Sequence, residues 1–314
     1  MRYCLFIIVS LFLFTSCENF FNQVIEVKVP EVNSRIVLDA RVAAGDSVLT
    51  VFVSRSRGIL DDSEYSYEAI ILDSMYYVDF NGDSVLYVNN YFVGYDTVSN
   101  VKLELFKNGI SLGQLPAKRP GYYEIPQLFS TTENDEYTLS AVADGFETVT
   151  TSSAIPVAPV IKSLEFTPGN GSGPFGDQVS SLDIVIDDVS QAANYYLVEV
   201  YSRYDTFTPY NPQFIMSNDP LTSANGDGGI MISDESFNGG QYNLRIGLYG
   251  DLTGIDSKVV LKSISKDHYL FFKSVQLYRN SNGNPFAEPV LLHSNVVNGY
   301  GLFAIWHQVE KAVE

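Results

Sequence analysis

Along most of the chain apolar and polar residues alternate with a period of two, the pattern of half-buried β-strands rather than helices. The clearest case is residues 35–42 followed by 47–55, two alternating runs around Ala44-Gly45-Asp46, which predict an antiparallel hairpin. Further strands are predicted at 101–106, 121–125 and 136–143, punctuated by the turns Lys107-Asn108-Gly109 and Asp144-Gly145. Residues 58–100 break this rhythm and read as a tyrosine-rich insertion with its own hairpin, turning at Asn81-Gly82-Asp83. Pro156 and Pro159 stiffen the stretch 154–159 into the expected boundary between two halves. Beyond it, strands are expected at 161–166, 181–187, 194–201, 242–249, 257–264 and 299–306, with a glycine-rich turn over 168–176 and long loops over 205–238. The period changes once. Ser265 can cap a helix running to Tyr278, with Asp267 in its first turn and Tyr269, Phe272 and Val275 on one face. The expected fold is mainly β: an N-terminal sandwich at 35–155 carrying the insertion 58–100, then a C-terminal β-rich domain at 160–314 with one helix.

The first residues follow another pattern. Arg2, an apolar run from Leu5 to Phe14, and Thr15-Ser16-Cys17 together read as a lipoprotein signal peptide over residues 1–16. The apolar run is far short of the roughly 20 residues that span a bilayer. Cleavage before Cys17 exposes a thiol for a diacylglycerol thioether and an amino group for an acyl chain such as palmitate. Residues 17–34 then serve as lipidated tether and first strand, and the expected location is the cell outer membrane, with the periplasmic and surface faces both open.

Charge and chemistry narrow the function mainly by exclusion. The chain carries 19 Lys and Arg against 37 Asp and Glu, a net charge of −18, and loses one further positive charge with Arg2. Such a balance disfavours nucleic acid as a partner. Of the two cysteines, Cys4 leaves with the signal and Cys17 is lipidated, which leaves no thiol for a disulfide or a cysteine-based metal site. His268, His293 and His307 show no zinc-binding spacing, and no nucleophile elbow or phosphate loop occurs. The expectation is a non-enzyme without a cofactor. For metals, an ordinary polar loop is the primary reading of residues 218–234. Calcium at Asp219, Asp227 and Asp234 is the alternative, although the EF-hand glutamate is missing.

The lipobox, the first hairpin, Gly121-Tyr122-Tyr123 and Glu136-Tyr137-Thr138-Leu139 resemble the N-terminal half of the DUF4249 lipoproteins of Bacteroidetes. The helix from Ser265, the loop Asn284-Pro285-Phe286-Ala287-Glu288-Pro289, Ser294-Asn295-Val296 and Asn298-Gly299-Tyr300-Gly301-Leu302-Phe303 resemble that family's closing signature, in the same order. The insertion 58–100 is longer than the family's usual segment. The resemblance implies an envelope lipoprotein, often encoded beside TonB-dependent outer-membrane receptors and without established activity. It also implies that the N-terminal sandwich is of the Ig- or transthyretin-like type.

On this reading the protein is an accessory or ligand-capturing partner of a TonB-dependent transporter, or alternatively a structural or adhesive surface lipoprotein. Tyr65, Tyr67, Tyr76, Tyr77, Tyr87, Tyr91 and Tyr95 in the insertion form one expected partner surface. Phe286 is either a second docking element or a plug for the C-terminal core. Asp followed by Ser or Thr and an apolar residue recurs at Ser47, Ser74, Ser84 and Thr97, resembling the O-glycosylation acceptor of exported Bacteroidetes proteins.

Overall fold

The computed structural model describes residues 33–58, 66–78, 84–98, 100–172, 178–189, 193–203, 205–281, 288 and 290–314, with backbone alone over 66–95 and 170–178. Cys17, Tyr65 and Phe286 lie outside the described residues. Ser34–Glu314 forms one compact unit.

The first half contains β1 (Ile36–Ala43), β2 (Val48–Arg55), β3 (Ser66–Val78), β4 (Ser84–Tyr95) and β5 (Lys102–Lys107). It continues with β6 (Ile110–Gln114), β7 (Ala117–Arg119), β8 (Tyr122–Pro126), β9 (Glu136–Val142) and β10 (Val149–Ala154). After the proline stretch come β11 (Val160–Ser172), β12 (Gln178–Asp187), β13 (Tyr195–Arg203), β14 (Asn211–Gln213) and β15 (Ile215–Met216). The rest is β16 (Thr222–Ala224), β17 (Ile230–Ser233), β18 (Gln241–Tyr249), β19 (Asp256–Ile264), helix α1 (Lys266–Ser281) and β20 (Tyr300–Ala312). The mainly β class, with a single long helix among the described residues, is what the sequence pattern predicts. Two expectations are corrected. The long loops of 205–238 contain four short strands, and β11 carries on to Ser172 through a register shift instead of ending in a glycine turn.

Strand β20 joins the halves. Its first part, Tyr300 to Trp306, pairs in parallel with β1, and its second part, His307 to Ala312, pairs antiparallel with β19. The result is one ten-stranded sheet in the order β16-β17-β13-β19-β20-β1-β2-β8-β7, with β14 also on β13. Where β20 pairs with β1, its other edge meets side chains. Asn295 accepts from Phe303 N and donates to Phe303 O at 3.0 and 2.8 Å, and Ser153 Oγ accepts from Ile305 N at 3.0 Å. Buried strand amides are thereby satisfied without a neighbouring strand.

Alternation along these strands sorts the two faces of the sheet. Ile36, Leu38, Ala40, Phe303 and Ile305 point into one core, packed with Leu103, Leu105, Tyr137, Leu139 and Val149 from the four-stranded sheet β10-β9-β5-β6. Tyr196, Val198, Val200, Val259 and Leu261 point into a second core, closed by the four-stranded sheet β11-β12-β18-β15. The opposite face carries Tyr195, Leu197, Met231, Leu302 and Ala304, which pack against Tyr269 and Phe272 of α1. The capping reading of Ser265 holds: its Oγ accepts from His268 N at 3.2 Å. Asp267 and His268 point apart from the helix, Asp267 meeting His293 Nε2 at 2.7 Å while His268 is buried. Because α1 is a single helix on a wide sheet, the helix face stays partly open, and the cleft described next lies there.

Among the described residues, strands β3 and β4 pair only with each other in a two-stranded sheet, as the predicted insertion hairpin. Asp96 fixes its foot. Its carboxylate accepts from Arg57 Nε and Nη2 at 2.5 and 2.6 Å and from Arg55 Nε at 3.0 Å, while its carbonyl accepts from Arg55 N at 2.9 Å.

Candidate functional site

A cleft of about 420 Å³ opens on the helix face of the large sheet, within the size range of small-ligand sites. Its floor runs across consecutive strands, with Leu197 and Glu199 on β13, Lys262 on β19, Trp306 on β20, Asp39 and Arg41 on β1, Thr50 and Phe52 on β2, and Tyr122 on β8. The pleat explains the selection. Cross-strand partners Asp39, Phe52 and Tyr122 share one row, and these positions are turned away from the apolar core on the other face. His268 and Phe272 of α1 form one wall, and Asn225 and Asp227 contribute from the β16–β17 turn.

That turn is built by its own side chains. Asn225 Oδ1 accepts from Asp227 N at 2.8 Å and from Gly229 N at 2.9 Å. The fit at Gly229 is tight, since an added Cβ would lie 2.9 Å from Leu197 Cδ1 and 3.0 Å from both Asn225 Nδ2 and Glu199 Cγ, so those side chains would have to shift to admit one. Arg279, in the last turn of α1, donates to Gly226 O at 3.1 Å and ties the turn to the helix end.

Charges in the cleft are paired. Arg41 Nε and Nη2 donate to the two carboxylate oxygens of Asp39 at 2.9 and 3.1 Å. Lys262 Nζ lies 2.7 Å from Glu199 Oε2 and 4.9 Å from the centre of the Trp306 ring, a cation–π contact. Tyr201 donates to Glu199 at 2.9 Å, and burial together with that carboxylate raises its hydroxyl pKa. Aromatic rings complete the lining. Phe52 and Tyr122 have centroids 4.8 Å apart, while His268 lies 5.2 Å from Phe272 and 6.2 Å from Trp306.

His268 stands out. It is 4% exposed, and its Nδ1 has no hydrogen-bond partner among the described residues. Burial pushes its pKa down to about 3, helped by the Arg41 and Lys262 cations, so the ring is neutral. The unfolded chain then binds a proton that the folded chain refuses between the ordinary 6.5 and about 3. Its contribution to stability is complete above pH 6.5 and is lost as pH falls through that value, with a slope up to about 1.4 kcal/mol per pH unit. Denaturant melts from pH 7 to 4.5 are expected to show this slope in the wild type and its loss in His268→Gln. An equal slope in both proteins contradicts the assignment.

The structure disperses the sequence-derived calcium candidates. Asp219 accepts from Leu221 N at 2.9 Å, Asp227 lies 3.7 Å from Arg279, and buried Asp234 accepts from Asn194 N at 2.8 Å. No cluster of three or more His, Cys, Asp or Glu able to hold a metal occurs among the described residues. Ser47 is exposed in the β1–β2 turn, whereas Thr97 is half-buried and bridges Ser54. Ser74, Ser84, Tyr67, Tyr76, Tyr77, Tyr87, Tyr91 and Tyr95 lie on the backbone of β3 and β4. Of the sequence-derived candidates Asp227 lines the cleft, whereas Asp219, Asp234, Ser47 and Thr97 do not. Sequence reasoning noted His268, and Asp227 only as a calcium candidate, and left the rest of the lining unassigned, because single residues from many strands carry no spacing signal.

No curated protein matches the chain. Among solved structures, "Biofilm associated protein - B domain" is 9% identical, covering 88% of this chain and 85% of that one at a TM-score of 0.18. "Three N-terminal domains of the bacteriophage RB49 Highly Immunogenic Outer Capsid protein (Hoc)" is 10% identical, covering 88% and 99% at a TM-score of 0.17. Scores that low carry nothing over to this chain. Over residues 23–312, which span both cores, the strand β20 that joins them and every residue of the cleft lining, the chain belongs to the family described as Domain of unknown function (DUF4249).

Proposed function

We propose that this chain is a non-catalytic ligand-capturing lipoprotein, tethered to the outer membrane through Cys17 and acting with a TonB-dependent receptor. The observation that carries the capture role is the cleft, which is open, aromatic and lined by paired charges. Its carboxylates Asp39 and Glu199 are each engaged by a cation, and its one histidine is neutral and buried, which supports binding over catalysis. Tethering supports the same role, since a binding protein held at the membrane presents its ligand at high local concentration to a neighbouring receptor. The lipobox at Thr15-Ser16-Cys17 supports the tether.

The insertion hairpin is the docking element in this reading. Among the described residues it pairs with no other strand, and its foot is fixed by Asp96, so its removal is expected to leave both cores folded. The test is affinity purification of the tagged full chain from native membranes in mild detergent. A TonB-dependent β-barrel receptor is expected to co-purify with the wild type and to be lost from a variant lacking residues 63–95, whose melting is otherwise unchanged. Failure of any such receptor to co-purify sinks the transport role and leaves the structural or adhesive alternative. If the deletion unfolds the first half, the docking assignment is wrong.

A further inference from the structure

We infer that the ligand of the cleft is a short neutral saccharide, held against the aromatic lining and hydrogen-bonded by Arg41, Asp39, Glu199 and His268. The inference rests on the capture role proposed above and names its ligand class.

Three features of the lining select this chemistry. The first is charge pairing. Arg41 is matched by Asp39 at 2.9 Å, Lys262 by Glu199 at 2.7 Å and Arg279 by Asp227 at 3.7 Å. A phosphate, carboxylate or ammonium ligand would meet beside each opposite charge a like charge that repels it. A sugar hydroxyl donates and accepts, so it adds to a pair without breaking it. Carboxylates keep unused lone pairs, and a guanidinium has five N–H groups, of which the Asp39 contact takes two.

The second feature is the mix of rings and planar polar groups. Phe52 and Tyr122 sit on one flank, with Trp306 and Phe272 on the other. A pyranose presents a C–H face that packs on such rings and an equatorial edge of hydroxyls for Asp39, Arg41 and Glu199. A purely apolar ligand would leave these polar groups buried without water, at a cost.

The third feature is His268. The residue forms part of a cleft wall while its unpartnered Nδ1 is sealed behind it, so a small turn of the ring would bring to a bound hydroxyl a neutral imidazole that offers one nitrogen as donor and the other as acceptor. A hydroxyl satisfies either role, so the binding site supplies what the folded chain leaves open.

Trp306 is the chain's one tryptophan and lines the cleft, so its emission reports occupancy directly. The full-length lipidated protein, in a detergent without a sugar headgroup, is applied to an array of neutral oligosaccharides, and the strongest binder is titrated by tryptophan fluorescence. The expected result is saturable binding with a shift in Trp306 emission. His268→Ala is expected to weaken it about tenfold, the size of one lost buried hydrogen bond. Since His268 is a core position, Thr50→Tyr is the second variant. Thr50 is exposed on the cleft floor, so the larger ring blocks the site while circular dichroism stays unchanged.

A blank array overturns the inference. So does equal binding by Thr50→Tyr, or inorganic phosphate binding in preference to every sugar. Receptor co-purification without saccharide binding rejects this ligand class alone, and saccharide binding without a receptor rejects the transport role alone.

Discussion

Gly301→Ala is expected to abolish folding at ordinary temperatures, the largest effect of a methyl group added at any described glycine. Gly301 lies where β20 runs parallel to β1, opposite Leu38, at φ +116. A Cβ there would lie 1.8 Å from Leu38 O, 2.8 Å from Leu38 C and 3.0 Å from Leu38 N. All three are backbone atoms of a fully buried residue, so no rotamer change relieves the clash. Relief requires parting β1 from β20, the one strand that both halves share. The expected cost exceeds about 4 kcal/mol, the range reserved for backbone strain and core disruption, against a typical total of about 5–15 kcal/mol. Gly109→Ala is the control. Gly109 also has positive φ, at +80, but a methyl group added there would meet nothing within 4 Å, and a loss of about 1 kcal/mol is expected. Soluble yield and thermal melts by circular dichroism decide the matter. A Gly301→Ala protein that melts within a few degrees of wild type would show that the parallel register is wrong.

The same residue shows what the sequence reveals and what it hides. Gly301 is legible as a glycine in a strand, and Asn108-Gly109 as a turn, because those demands are local; Asn108 and Gly109 indeed adopt φ of 48 and 80. The β1–β2 hairpin and the Ser265 cap are legible for the same reason, each being set by a few consecutive residues. The parallel pairing of β1 with β20 is not, since nothing in either strand specifies a partner so far away along the chain. Strand β17 is hidden differently. Ile230, Met231 and Ile232 make an apolar run too short to stand out among the asparagines and glycines around it, yet they fill the gap between β13 and β16. Strand β10 places Thr151 and Ser153 at its buried positions, so the period of two survives while the hydrophobic signal does not. The cleft follows from these non-local choices. Lys262 and Glu199 come from neighbouring strands and Arg41 from across β20, so the site exists only once the sheet is assembled. Histidine positions could be searched in sequence. The burial that makes His268 a neutral, unpartnered group could not.

Asp96→Ala is expected to lower stability by about 2 kcal/mol at neutral pH, because it leaves Arg55 and Arg57 without the carboxylate that both engage. The Asp96 and Arg57 side chains are each only 10% exposed, so water compensates little for the loss. The hydrogen bond from Arg57 is the main influence holding the Asp96 pKa below its ordinary 3.8; burial opposes it, and the charges of both arginines reinforce it. The sign follows from proton binding. Between the depressed folded pKa and 3.8 the unfolded chain binds the extra proton, so the contribution is complete above 3.8 and is lost as pH falls through the folded value. This window opens below 3.8, where the His268 loss that began near 6.5 is still running towards about 3, so the two contributions overlap there and their slopes add. Wild type is therefore expected to lose stability more steeply below pH 3.8 than above it, and Asp96→Ala to lack that added slope. Asp96→Asn tests whether charge or hydrogen bonding dominates, since the amide oxygen still accepts from one arginine while the ion pairs are gone. It is expected to fall between wild type and alanine. Urea melts at pH 7 and at pH 3 read all three proteins. Equal stability of Asp96→Ala and wild type at pH 7 would mean that the foot of the hairpin is held by its backbone contacts alone, the Arg55 N to Asp96 O bond and the Ser54–Thr97 bridge.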